Sequence, residues 1–149
     1  HKVSRLEQND YGNILKENGL KQTKQRSAIL DYLEKCGQPV SAERVFLEIK
    51  DQAIHVNIST VYRFLELLSD KNLVNRINIV GDSRTLFEVN RKIHRHYLIC
   101  LDCKRILPIN SCPIEEYEKS LEKRTNYKIM AHKLIIYGYC PDCQRINRE

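Results

Sequence analysis

Apolar residues in the first half of the chain repeat at the spacing of an amphipathic helix in three stretches. The first begins at Thr23, a good N-cap residue, and is predicted to run through Cys36. The second opens at Ser41 in the same way, and the third starts at Val61. A shorter amphipathic run over residues 11–18 precedes them.

Two segments of alternating apolar and polar residues follow the third helix. They cover residues 73–80 and 85–89, and Gly81-Asp82-Ser83 between them is a turn sequence. Three helices followed by a β-hairpin predict a winged helix-turn-helix domain.

The pattern changes at the basic segment 90–92, where we place a domain boundary. Residues 94–109 alternate as a strand, Pro113 begins a helix that continues to Lys123, and residues 127–139 have a β-rich pattern. The predicted fold class is therefore α+β. Its domains are a winged helix over 1–90 and a small α/β dimerisation and metal-binding domain over 91–149.

Charge narrows the choice of partner. The chain has a formal net charge of +6 and a sequence pI near 9.0, which favours a polyanionic partner such as nucleic acid. No stretch approaches the roughly 18 to 20 apolar residues of a membrane span, and no signal-peptide pattern is visible near the start. We expect a cytoplasmic protein with no membrane partner.

The four cysteines Cys100, Cys103, Cys140 and Cys143 form two Cys-x-x-Cys pairs. In a cytosolic chain such pairs favour metal ligation, although redox dithiols and free cysteines are the alternatives. Four thiolates form a closed tetrahedral site typical of structural zinc, with no open position for catalysis. An enzyme is therefore not predicted.

His94 and His96 alternate in a predicted strand, so their imidazoles point to one face and form a natural pair of nitrogen ligands. These histidines belong to a set of motifs that occur in order along the chain. The motifs are Gly19 to Arg26, Ser59 to Arg63, His94 to His96, Ile99 to Cys103, and His132 to Cys143.

In these motifs the chain resembles the ferric uptake regulator family, which includes iron, zinc, manganese and peroxide sensors. The resemblance implies a homodimer that binds palindromic operator DNA when loaded with a regulatory metal, and so represses metal-uptake or stress genes. It also implies a regulatory site formed by His94, His96, Glu115 and His132. Three imidazoles and a carboxylate suit Zn²⁺, Fe²⁺ or Mn²⁺.

The second site that the family places at its domain hinge is less well matched. Glu88 retains one ligand position, but Pro39, Arg95 and Tyr97 stand where the family typically has histidines. Either this site is lost or it uses other residues, of which the candidates are His55, Asp82 and Cys112. The missing histidines weaken a peroxide-sensing interpretation, and Ser-Cys-Pro at 111–113 leans slightly towards the zinc-uptake branch.

The predicted DNA contacts lie at the starts of two helices. Tyr62 and Arg63 stand in the first turns of the third helix, where a recognition helix meets base edges, and Ser59 and Thr60 come just before them. At the start of the first long helix, phosphate or minor-groove contacts are expected from Lys21, Lys24 and Arg26.

A rival interpretation is a zinc-stapled nucleic-acid-binding or interaction module that senses no metal. It accounts for the charge and the cysteines. It does not account for the order of helices and hairpin or for the position of Tyr62 and Arg63.

Overall fold

The computed structural model describes residues 10–90 and 95–147, and these two parts belong to two compact units. Each unit has helices and its own three-stranded sheet, which confirms the predicted α+β class. The boundary predicted between residues 90 and 91 stays a prediction. None of the helices in the described ranges has the length and apolarity needed to cross a membrane.

The described part of the first unit, residues 10–90, contains four helices, of which two begin at their predicted caps. The Thr23 hydroxyl accepts the backbone N–H of Arg26 at 3.1 Å, and the Ser41 hydroxyl accepts that of Arg44 at 3.2 Å. The helices are α1 Asp10–Glu17, α2 Lys24–Lys35, α3 Ala42–Asp51 and α4 Ile58–Asp70.

Helix α4 starts three residues earlier than predicted. The Asn57 carboxamide oxygen accepts the backbone N–H of Thr60 at 2.9 Å and so caps the helix. Because of this cap, Ser59 and Thr60 lie in the first helical turn rather than in a preceding turn.

The sheet of the first unit is antiparallel, with the order β1-β3-β2. Its strands are β1 Val40–Ser41, β2 Val74–Asn78 and β3 Thr85–Val89. The hairpin of β2 and β3 is the predicted wing. Strand β1 was not predicted, because two residues are too few to show an alternating pattern.

One face of α4 is the centre of the first unit's core. Val61, Phe64, Leu65 and Leu68 are buried there, together with residues of α2, α3 and the sheet. The helical period then directs Ser59, Arg63 and Glu66 to the opposite, exposed face. Core packing thus fixes which face of α4 is available to a partner.

The second unit is a small sheet with two helices. Its elements are β4 His96–Cys100, β5 Ile106–Ile109, α5 Glu115–Thr125, β6 Ile135–Gly138 and α6 Pro141–Asn147. Strand β4 lies between the other two, antiparallel to β5 and parallel to β6. Helix α5 buries none of its residues, so the second unit has a much thinner core than the first.

Two predicted strands of this unit are wrong in extent. The run over 94–109 is interrupted by a turn in which Lys104 adopts φ 64°, because its N–H bonds back to the Cys100 carbonyl at 3.0 Å. Of the run over 127–139 only Ile135–Gly138 is a strand. Before it, the N–H groups of Tyr127 and Ile129 bond to α5 side chains instead of to a neighbouring strand.

Helix predictions in the second unit also need correction. Helix α5 begins at Glu115 rather than at Pro113, after Ile114, which provides no side-chain cap. Helix α6 was not predicted, because its seven residues follow Cys140 directly and are too few for a clear apolar period.

Truncation of the core face of α4 should destabilise the first unit. Leu65 is fully buried, and we expect Leu65→Ala to lower the free energy of unfolding by about 2 to 5 kcal/mol. Leu47→Ala is the matched control, because Leu47 is 50% exposed on α3, and its effect should stay below about 1 kcal/mol. Urea unfolding followed by circular dichroism measures both, and equal losses would contradict this packing.

Candidate metal centres and DNA-binding helix

Two Cys-x-x-Cys segments meet at one end of the second unit's sheet. Cys100 ends β4 and Cys103 lies in the turn after it, while Cys140 and Cys143 lie at the start of α6. The four sulfur atoms lie within 4.8 Å of one another, and those of Cys103 and Cys140 are 3.8 Å apart. A tetrahedral zinc ion with Zn–S bonds of about 2.3 Å spaces its sulfurs by about 3.8 Å, so this set fits zinc.

Hydrogen bonds within this cluster shift the pKa values of two of its thiols in opposite directions. Backbone N–H groups of Cys140 and Cys103 lower the pKa of the Cys100 thiol to about 6. A hydrogen bond with the Cys140 side chain and burial raise the pKa of Cys143 to about 12. Four thiolates so close together repel one another, and a divalent cation offsets that repulsion.

A second cluster lies at the other end of β4. His96, at the start of the strand, is buried, and its Nε2 lies 3.1 Å from Nε2 of His132. The Cys112 sulfur lies 3.4 Å from the same His132 nitrogen. The three ligand atoms fall within 4.8 Å of one another, as a shared metal ion requires.

A carboxylate orients one of these imidazoles. Glu118, in the first turn of α5, approaches Nδ1 of His132 to 2.6 Å, and both side chains are half-buried. The carboxylate holds the ring so that Nε2 faces His96 and Cys112. Metal-binding histidines commonly have such an outer carboxylate.

The predicted ligands are distributed unevenly around this cluster. The structure brings His96 and His132 together, whereas His94 lies outside the described residues. Glu115 is exposed at the first position of α5, and the carboxylate in contact with His132 is instead that of Glu118, three residues later. The assignment of His94 and Glu115 as ligands stays a prediction.

The residues suggested for a second metal site belong to two different units of the chain. Cys112 lies in the His96–His132 cluster of the second unit. Glu88 on β3 and His55, in the loop before α4, belong to the first unit, and neither joins a group of three candidate ligands among that unit's described residues. Asp82 pairs with Arg84 in the wing turn.

The start of α4 presents polar side chains to solvent. Ser59 and Arg63 are exposed, and Thr60 is half-buried. The Tyr62 hydroxyl donates a hydrogen bond to Glu43 of α3 at 2.9 Å, and this bond, with burial, raises the pKa of Tyr62. Tyr62 is thus held in one orientation at the edge of the core.

The three basic residues near the start of α2 that are predicted to contact DNA differ in their surroundings. Lys21 and Lys24 are exposed. Arg26 donates to the Lys21 carbonyl at 2.8 Å, and its guanidinium lies 5.0 Å from the centre of the Phe64 ring of α4. Arg26 therefore joins α2 to α4 through a cation–π contact, in addition to its positive charge.

A groove of about 530 Å³ lies between these helix starts. Lys21, Arg26 and Arg63 contribute cationic groups to its lining, and Thr60 contributes a hydroxyl. Two helix N-termini and several cations on one side of the unit form a surface suited to phosphate oxygens.

Comparison with known proteins identifies the family. The model of the ferric uptake regulator family matches residues 17–137. This chain belongs to the ferric uptake regulator family. The ferric uptake regulation protein of Klebsiella pneumoniae is 33% identical over 141 residues, which span 93% of this chain and 90% of that protein.

Solved structures of the ferric uptake regulator family agree with the fold. The ferric uptake regulator of Vibrio cholerae is 32% identical with a TM-score of 0.78, covering 88% of this chain and 100% of that one. That of Helicobacter pylori is 26% identical with a TM-score of 0.81, covering 95% of this chain and 96% of that one. Ferric uptake regulators are transcriptional regulators, so this chain is a metal-responsive regulator rather than an enzyme.

Sequence reasoning missed three contacts of this family member's sites. No sequence signal points to Glu118 or Glu43, because a carboxylate on a solvated helix gives no signal until its partner's position is known. The sequence makes Cys112 a candidate for the second metal site, whereas the structure places it beside His96 and His132. Its one sequence signal is its position directly before Pro113 in a loop next to a predicted ligand helix.

Removal of one sulfur from the four-cysteine cluster should unfold the second unit, because metal binding there contributes directly to folding. We expect Cys143→Ser to lose the tightly bound metal and the circular dichroism of this unit. Cys36→Ser is the matched control, since Cys36 lies at the end of α2 and outside both clusters. Elemental analysis and thermal unfolding measure both properties. Retention of full metal content in Cys143→Ser would contradict a four-sulfur site.

Proposed function

We propose that this chain is a metal-responsive repressor that binds palindromic operator DNA as a homodimer and controls genes of metal uptake and homeostasis. The observation that carries the proposal is the presence of two ligand clusters of different kinds in the second unit. One offers four sulfurs in a closed set, and the other offers two imidazoles and one sulfur, from His96, His132 and Cys112.

The four-cysteine cluster is the proposed structural Zn²⁺ site. Its sulfur spacing supports tetrahedral zinc, and the thin core of the unit supports a folding role. Such an ion supplies folding free energy and leaves no position for exchange with a substrate.

The histidine cluster is the proposed regulatory site. His96 and His132 are its central ligands, with His94 and Glu115 as the further ligands implied by the family. Zn²⁺, Fe²⁺ and Mn²⁺ are the candidate ions. The Helicobacter pylori relative has three functional metal-binding sites, which supports more than one site in this chain.

Ligation would join three separate segments of the second unit. His96 is on β4, His132 is in the segment before β6, and Cys112 is in the loop before α5. Fixing these segments to one another reduces the freedom of the unit that carries the dimer contacts. We propose that this ordering sets the two recognition helices at operator spacing.

The sheet of the second unit supports a homodimer. Leu98 of β4 is paired with Leu107 on one side and Ile136 on the other, so the three side chains form a row across one sheet face. All three are exposed in the single chain. Apolar rows of this kind favour burial against a partner, here a second copy.

The first unit supports operator recognition by α4. The proposed location of this recognition is the cytoplasm. A two-fold dimer has to present its recognition helices about 34 Å apart, or at a multiple of that distance, to read a palindrome. Arg63 and Tyr62 are the proposed base-reading residues, with Ser59 and Thr60 beside them. Lys21, Lys24 and Arg26 are the proposed phosphate contacts.

Metal titration tests the regulatory mechanism. The protein is purified without added metal, and operator duplexes are selected with it from a random pool. The affinity of the protein for these duplexes is then measured anaerobically while Zn²⁺, Fe²⁺ or Mn²⁺ is added. We expect one tightly bound ion per subunit at the outset and a rise in operator affinity on binding a second ion. Linkage requires the operator to raise the affinity for that ion by the same factor. An operator affinity that none of the three ions changes would contradict the sensing mechanism.

Arginine substitution tests the recognition helix separately. Arg63→Ala should cost about 1 to 3 kcal/mol of operator binding, roughly 5- to 150-fold, and should relax preference at one base position. Arg124→Ala is the control, because Arg124 is an exposed arginine of the second unit. Fluorescence anisotropy with operator and base-substituted duplexes measures both, and an equal effect of the two changes would rule out this role of Arg63.

A further inference from the structure

We propose that Cys112 is a thiolate ligand of the regulatory site, so that its sulfur binds the metal beside the imidazoles of His96 and His132 and the site prefers Zn²⁺ to Mn²⁺. The inference rests on the proposed function of the His96–His132 cluster as a metal site. It adds a ligand that changes the chemistry of that site.

The two shortest spacings in the cluster are close to those around one shared tetrahedral ion, and the third pair, His96 and Cys112, also lies within 4.8 Å. With Zn–N bonds of about 2.05 Å and a Zn–S bond of about 2.3 Å, two nitrogens lie about 3.3 Å apart, and nitrogen and sulfur about 3.6 Å apart. The structure has 3.1 Å between the histidine nitrogens and 3.4 Å between sulfur and nitrogen. Each distance needs to open by only about 0.2 Å.

The surroundings of His132 direct the available nitrogen to the sulfur. Glu118 occupies the Nδ1 side of the ring at 2.6 Å, so Nε2 is the nitrogen that faces both His96 and Cys112. The carboxylate also fixes the tautomer and the orientation of the ligating ring. His96 and Cys112 are buried and half-buried, which limits competition from water.

A sulfur ligand changes which ion the site prefers. Thiolates bind Zn²⁺ well, whereas Mn²⁺ favours carboxylate, carbonyl and water oxygens. A site of imidazoles and a carboxylate alone discriminates little by ligand type. Cys112 therefore favours zinc as the regulatory ion of this chain.

Cobalt spectroscopy of the full-length protein, with zinc retained in the four-cysteine site, tests the assignment. Co²⁺ bound by a thiolate shows a sulfur-to-metal charge-transfer band in the near ultraviolet, in addition to the visible ligand-field bands. We expect one Co²⁺ per subunit to produce both signals in the wild-type protein and in Cys36→Ser. In Cys112→Ser the charge-transfer band should disappear while weaker ligand-field bands remain.

Competition titrations measure the preference itself. We expect Cys112→Ser to lower Zn²⁺ affinity at this site by more than about tenfold and to leave Mn²⁺ affinity nearly unchanged. X-ray absorption at the second zinc of the wild-type protein should show one sulfur neighbour, a result that does not depend on how well the variant folds.

Two results overturn the assignment, and they differ in what else they imply. In the first, the cobalt spectrum of the wild-type protein shows ligand-field bands without a charge-transfer band, and Cys112→Ser keeps its Zn²⁺ affinity. This result excludes Cys112 as a ligand but leaves a metal site formed by the histidines. Failure of the wild-type protein to bind any ion beyond the four-cysteine site overturns both this assignment and the proposed sensing function.

Discussion

Strands β4 and β6 run parallel, with Tyr97 opposite Ile135 and Cys100 opposite Gly138, and both ligand clusters depend on this pairing. At one end, His96 begins β4 and His132 lies just before β6. At the other end, Cys100 finishes β4 and Cys140 lies just after β6. Cys100 lies four residues after His96 along β4, roughly 13 Å away. A slip of one residue in the register would reverse the side chains of β6 and disturb both sets of ligands.

The same pairing explains why the second unit has a thin core. Parallel strands require a long connection, and here it contains β5, the loop to α5, the helix itself and an irregular segment. Helix α5 buries no residue, so the connection is secured by polar contacts such as that of Glu118 with His132 rather than by an apolar core. The first unit, in which α4 is packed on every turn of one face, has no such dependence.

The sequence predicted features that rest on local rules and missed those that rest on distant contacts. The caps Thr23 and Ser41 were correct because a cap acts within three residues. The four-cysteine set was recognisable because spacing within each pair reveals ligation. The break between β4 and β5 was missed, because the turn between them depends on the hydrogen bond from the Lys104 N–H to the Cys100 carbonyl, which the alternating pattern does not show. The contact of Cys112 with His132 joins residues 20 positions apart, and no local pattern encodes it.

The two clusters differ in ways that suit opposite tasks. A structural ion should not leave, and the four-cysteine set is closed, with Cys100 and Cys143 buried. A sensing ion has to exchange as its concentration changes, and the His96 cluster has three ligand atoms among the described residues, with Cys112 only half-buried. The clusters lie at opposite ends of β4 and β6, so under the proposed function the closed one would hold the strands in register while the other exchanges its ion. The unit would then keep its fold in both states, and the segments joined through His132 and Cys112 would respond to the metal.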